Sequence, residues 1–420
     1  MNRDAMNRES IVHRLSYLLV NGRVIDPVGG FDRVGDVFLR RGRVEAILAP
    51  RARPPAPPDV VVDASGLVVC PGLVDIHVHL REPGQTHKED IASGTLAAAL
   101  GGVTALVCMP NTTPPADAPG VLSRIRERAT EVNLVKLFPA GALTEGLGGR
   151  RLTDFAALKA AGAVALTDDG NPLPSDALME SALRRASRLG LPVLSHCEPE
   201  IELAARDIAL SAKTGCSVHI CHVSRRETVD LIRAAKAQGV RVTAETCPHY
   251  LHFTHADTAR LGPNAKMNPP LGAPEDREAV IQGLADGALD AIATDHAPHH
   301  PSEKAVPFEK APNGVIGLET LLPAALEALY HTGRMGLSRL LALMTNRPAA
   351  IAGLPAGRLS PGCPADVLIF DPCAEVRVDA GLMASRSRNT PFDGMALRGQ
   401  VVHVFADGLW RIQNGRRRLP

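Results

Sequence analysis

Leu73-Val74-Asp75-Ile76-His77-Val78-His79-Leu80-Arg81 is an apolar run broken by one acid and two histidines, and it closes on an arginine. Side chains alternate along a strand, so His77 and His79 point to one side and can grip a single cation. Alone such a pair is weak evidence, because core or surface histidines explain most of them. Its weight comes from the sequence that follows.

Seven more buried-type runs succeed it: Val103 to Cys108, Leu134 to Leu137, Val164 to Leu166, Pro192 to Ser195, Ser217 to Cys221, Val240 to Ala244 and Ala291 to Ala293. Between them lie helix-like segments such as Ile91 to Leu100, Asp176 to Leu189, Glu202 to Lys213, Arg226 to Gln238 and Asp276 to Asp286. Eight strands, each followed by a helical or long connection, predict a (β/α)8 TIM barrel over residues 72–352. Both ends of the chain read differently. Tyr17 to Val20, Val37 to Leu39, Val44 to Leu48 and Val60 to Val62 are short strands, with Asn21-Gly22 and Arg41-Gly42 at turns and a loop at Arg53 to Pro58. Asp366 to Phe370, Glu375 to Val378 and Val401 to Phe405 have the same character, so residues 1–71 and 353–420 are expected to build one small β-sandwich domain.

In such a barrel, functional groups sit at the C-terminal ends of the strands. Strand four ends in Asp168-Asp169-Gly170, strand five in His196, strand six in His222 and strand eight in Asp295-His296. Four imidazoles and two carboxylates at one mouth suit Zn²⁺, as a pair per chain. Taken singly, the Asp-Asp-Gly could be a turn and each histidine a core residue; that explanation is poor for the set.

Composition narrows the classes. Apolar residues make up 45% and charged residues 22%, the balance of an ordinary globular chain. A net charge of +1 and 3% aromatic residues argue against nucleic acid or an anionic membrane as partner. The eight cysteines form no C-x-x-C pair, so neither a disulfide framework nor a cysteine zinc site is expected. Met1 to Ser10 is polar, no run approaches the roughly 20 apolar residues of a membrane span, and cytoplasm is the expected location. Arg416-Arg417-Arg418 reads as a solvated tail.

Asp75 to Gly84 (DIHVHLREPG) resembles the amidohydrolase metal signature in its dihydroorotase form. Cys108-Met109-Pro110-Asn111-Thr112, Lys266 to Leu271 (KMNPPL) and Ala293 to His299 (ATDHAPH) are similar to further blocks of the long-chain bacterial dihydroorotases, in the same order, from about Leu18 to Val404. The resemblance implies that His77, His79 and Asp295 hold one zinc, that His196 and His222 hold the other, and that Asp169 bridges them. Many relatives bridge with a carboxylated lysine; here an aspartate stands in its place. His222 is preferred to His219 and His249, and Asp169 to Asp168. The resemblance further implies a water activated by zinc, Asp295 as proton shuttle, and Arg81 on a ring carboxylate with help from His79, Asn111 and His299. Asn268 and the backbone at Asn313 and Gly314 should contact the ring. The substrate would be a small molecule, dihydroorotate, opened reversibly to N-carbamoyl-L-aspartate in pyrimidine synthesis.

Two departures stand out. Asn313 replaces an aromatic residue usual at that place, and the stretch from His196 to His222 is considerably shorter than in relatives, which predicts an open mouth on that side. Alternative readings are a dihydropyrimidinase, hydantoinase or allantoinase, or a weakly active or non-catalytic partner of aspartate carbamoyltransferase. A homodimer is also compatible. Arg81, Asn111 and the aspartate bridge count against the first group, and the intact set of six metal ligands against the second.

Overall fold

The computed structural model describes residues 15–418; the polar start Met1 to Ser10 lies outside them. Eight parallel strands form the barrel: β6 (Leu73–Val78), β7 (Val103–Cys108), β8 (Lys136–Ala142), β9 (Ala165–Thr167), β10 (Leu194–Ser195), β11 (Val218–Ile220), β12 (Val242–Thr246) and β13 (Ala291–Ile292). They pair as two four-stranded sheets. Parallel bridges Leu166 to Val193 and Val78 to His296 join the sheets at both seams and close the ring. Val74, Ile76, Ala105, Val107, Ala140, Ala165, Leu194, Cys221 and Ala293 share one buried cluster. Only the inside of a closed barrel brings residues from so many strands together.

The remaining strands come from both ends of the chain: β1 (Tyr17–Asp26), β2 (Phe31–Arg40), β3 (Arg43–Leu48), β4 (Val60–Asp63) and β5 (Val68–Pro71), then β14 (Val367–Arg377), β15 (Ala396–Ala406), β16 (Leu409–Gln413) and β17 (Arg416–Arg417). They follow one hydrogen-bonded path, β17-β16-β15-β14-β5-β1-β2-β3, with β4 on β1. β1 and β15 are three strands apart, about 14 Å in a flat sheet. Yet Tyr17 and Phe405 bring their rings to 5.1 Å. The sheet therefore curls over itself around a core that Leu19, Val37, Val367 and Ile369 share.

Local chemistry explains where the elements depart from expectation. Asn21-Gly22 is no turn between strands: Asn21 takes φ 63°, the β1–β2 register shifts there, and β1 continues to Asp26. Asparagine tolerates the left-handed region, so a bulge absorbs the irregularity. The third barrel strand runs from Lys136 to Ala142, later than the apolar run at 134–137. The basic C-terminus is not a free tail. Arg416 and Arg417 pair with β16, and the Arg418 guanidinium lies 4.8 Å from the Trp410 ring centroid.

No helix among the described residues is long and apolar enough to cross a membrane.

Candidate active site

Asp75, buried in β6, accepts hydrogen bonds from the His77 amide at 3.1 Å and from Thr294 Oγ1 at 2.5 Å. The first and eighth barrel strands are thereby tied where they deliver His77, His79 and Asp295. Arg81, His222 and Asp295 have φ of 58°, 38° and 46°. Non-glycine residues avoid this region, and such strain gathers at functional sites.

The structure brings the six candidate ligands together in two overlapping groups. His79 Nε2 and His77 Nε2 lie 3.1 and 3.6 Å from Asp295 Oδ1. His77 Nε2, His196 Nδ1 and His222 Nε2 lie 3.1, 3.5 and 3.9 Å from Asp169 Oδ1, and His79 Nε2 lies 3.4 Å from Asp169 Oδ2. Asp169 thus sits between the groups. Asp168 turns away to accept from the Thr144 amide at 3.0 Å and from its hydroxyl.

Tautomers decide what this cluster can hold. His77 Nδ1 faces Glu245 Oε1 at 3.0 Å, and His79 Nδ1 faces Asn111 Oδ1 at 2.8 Å. Both partners accept, so both Nδ1 atoms donate, and both Nε2 lone pairs aim at carboxylates. Lone pairs facing carboxylates require positive charge between them. His77 shows the demand: burial opposes its charge, but Asp169 outweighs burial and raises its pKa well above the ordinary histidine value. Asp169 shifts the opposite way, held well below the carboxylate range by His77, His196 and His222 despite burial. His77 Nε2 and Asp169 Oδ1 make no hydrogen bond even at 3.1 Å, and His196 Nδ1 meets His222 Nε2 at 2.9 Å. Convergent imidazole and carboxylate donors of this kind fit a metal cation.

A cavity of about 230 Å³ opens on this cluster, and Arg81, Asn111, Asn268, His299, Asn313 and Gly314 line it with every candidate ligand except His77. Arg81 donates from Nε to Pro298 O at 3.2 Å; its two terminal amino groups make no hydrogen bond among the described residues. Asn268 Nδ2 approaches His196 Nε2 at 3.4 Å. Asn111 has a second task, donating to Asp169 Oδ2 at 3.3 Å while it orients His79. His299 Nε2 donates to Asn313 O at 2.8 Å. Burial first, then the Arg81 charge, push its pKa down to about 3, so it is neutral. Gly314 spends its N–H on Lys266 O and its carbonyl on Asn389. Of the two backbones there, the Asn313 N–H is the group left for a ring.

Glu245 was not singled out in the sequence. It is buried between His77 and His219, whose Nε2 lies 3.4 Å from Glu245 Oε2. Burial opposes its charge, but the two imidazoles hold its pKa down to about 2. An acid inside the apolar run of β12 was the available signal. His296 lies outside the cluster, 3.2 Å from Glu89 Oε2. His249 is buried, and desolvation lowers its pKa to about 4.

The class follows from fold and site together: residues 68–411 match the Amidohydrolase family, and the chain belongs to it. Within that family it is 44% identical to a dihydroorotase of Syntrophotalea carbinolica and 42% identical to a dihydroorotase of Aquifex aeolicus; each match covers 94% of this chain and 98% of the relative. Among solved structures, the L-hydantoinase (dihydropyrimidinase) from Arthrobacter aurescens superposes with a TM-score of 0.87 at 26% identity, over 96% of this chain and 98% of that one. The D-hydantoinase from Thermus sp. shares the fold, with a TM-score of 0.84 at 22% identity over 96% and 97%.

Proposed function

We propose that this chain is a zinc-dependent dihydroorotase that interconverts dihydroorotate and N-carbamoyl-L-aspartate in the cytoplasm. The observation that carries the reading is Arg81: a guanidinium with two unengaged amino groups, in the same 230 Å³ cavity as the His/Asp cluster. Dihydroorotate differs from dihydrouracil by a carboxylate, and a planar fork matches a carboxylate. Relatives named dihydroorotase over nearly the whole chain support the same choice over hydantoins.

His77, His79 and Asp295 would hold one zinc, His196 and His222 a second, with Asp169 shared. Zinc bound there supplies Lewis acidity and brings the ionisation of water near neutral pH. The protein's own groups do the rest. Burial opposes charge on Asp295, but His79 and His77 keep it ionised. It takes the proton of the attacking water and delivers it to the ring nitrogen as the C–N bond breaks. Arg81 fixes the ring carboxylate, while Asn268 and the Asn313 N–H orient the ring. Neutral His299 donates from Nε2 to Asn313 O, so its Nδ1, 3.7 Å from Glu303 Oε2, keeps a lone pair and does not donate to the ring carboxylate.

The test is an assay of zinc-loaded protein on dihydroorotate, dihydrouracil, hydantoin and allantoin. Turnover of dihydroorotate above the three others is expected. A preference for a ring without the carboxylate would overturn the assignment.

A further inference from the structure

Lys304 follows the strand-eight block on the short helix Pro301–Lys304, outside the metal cluster, and is 7% exposed. Its ammonium donates to three backbone carbonyls: Pro263 O at 3.0 Å, Lys266 O at 3.2 Å and Pro312 O at 2.8 Å. Those bonds use all three protons of the head group. No carboxylate pairs with it among the described residues, and burial depresses its pKa to about 7. A buried cation held only by neutral carbonyls is costly. Its position shows what it accomplishes.

The carbonyls belong to two separate segments, and the lysine to a third. Asn268 closely follows the first, Asn313 and Gly314 directly follow Pro312, and His299 begins the stretch that ends at Lys304. Lys266 O also accepts the Gly314 N–H at 2.9 Å, so one carbonyl receives both the lysine and the loop that borders the cavity. Three carbonyls meeting at one point need three donors from one small group. An ammonium meets that need, whereas a planar guanidinium spreads its donors in a fork.

We propose that Lys304 is the positioning residue of the substrate pocket, clamping the segments that carry Asn268, His299 and Asn313-Gly314 without touching substrate or metal ligands. The proposal rests on the dihydroorotase reading for its substrate and on the carbonyl geometry for its mechanism. Lys304→Met keeps the length of the side chain and removes the donors. Loosened segments give up ring contacts made equally in the ground state and the transition state, a loss that appears in KM. KM for dihydroorotate is expected to rise roughly tenfold or more, with kcat changing less and bound zinc remaining at the wild-type level. Hydrogen exchange at the Gly314 amide should accelerate, while the amides of β6 stay protected.

If Lys304→Met does not fold, Lys304→Gln, which retains two donors, should give the same changes in smaller degree. Unchanged KM and unchanged Gly314 exchange would overturn the proposal. So would a parallel fall of kcat, zinc content and melting temperature. The two readings fail separately: wild-type protein inert on dihydroorotate would sink the substrate assignment, while the exchange comparison would still decide the clamp.

Discussion

Asp169 lies between 3.1 and 3.9 Å from a nitrogen of each of four imidazoles, so its carboxylate reaches both halves of the cluster. Asp169→Ala should remove at least one zinc per chain and most turnover. Full zinc content by elemental analysis, or activity dependent on bicarbonate, would contradict the bridge. Asp295→Asn keeps the shape but cannot accept the proton, and kcat should fall roughly 10²-fold or more. Near-native turnover with native metal content would assign the proton to another group. Arg81→Met should cost about 2–5 kcal/mol in kcat/KM for dihydroorotate, with trace activity on dihydrouracil nearly unchanged; equal losses on both rings would make Arg81 structural. Glu245→Gln keeps a hydrogen bond to His77 but loses the charge, and zinc affinity should weaken about 10- to 100-fold. His77, His79 and Asp295 were legible in the sequence because they close barrel strands. Glu245 was not, because its partner His77 lies 168 residues away and only the closed ring joins them.

At the scale of elements, the connection from His196 to His222 is the one the sequence marks as short. Four residues after His196 the helix Glu200–Thr214 begins, and Gly215 caps it in the left-handed conformation before β11. Glu200 fastens that helix to the segment beyond His222: its carboxylate accepts from Ser224 Oγ at 2.5 Å and from the Ser224 and Arg225 amides at 3.1 and 3.0 Å. Glu200→Ala would leave these buried donors without a partner, a cost of about 3 kcal/mol measurable by urea denaturation. A loss below about 0.5 kcal/mol would show that water replaces the carboxylate. The hydrophobic pattern gave the helix to within two residues of each end, because apolar spacing defines a helical face. It did not reveal Glu200, since an acid at a helix start is an ordinary end signal. The β16–β17 hairpin escaped for a related reason: Arg416 and Arg417 are exposed, and pairing leaves no mark on their composition.

For the whole molecule, a groove of about 400 Å³ follows the segment after His196, bordered by Glu198, Ile201, Arg225 and Pro270. The alignment to the Syntrophotalea carbinolica relative runs over 421 positions while drawing on 94% of this chain, so that relative carries residues this chain lacks. An open mouth admits water and weakens electrostatic stabilisation of the transition state. Turnover per chain should therefore be low for dilute protein and rise with protein concentration as copies cover the groove. Constant specific activity across dilution would contradict this. The barrel was legible because eight apolar strands recur with helices between them, and the β domain shared by both ends was legible from their strand-like runs; its strand order was not, because the pairing joins β5 to β14 across some 300 residues. The most direct measurement is the turnover of dihydroorotate by metal-stripped protein as zinc is restored stepwise. Activity should be absent at first and rise with bound zinc to a plateau near two per chain, with no comparable rise in Asp169→Ala. Dihydroorotate opened equally fast by the stripped protein would contradict the account.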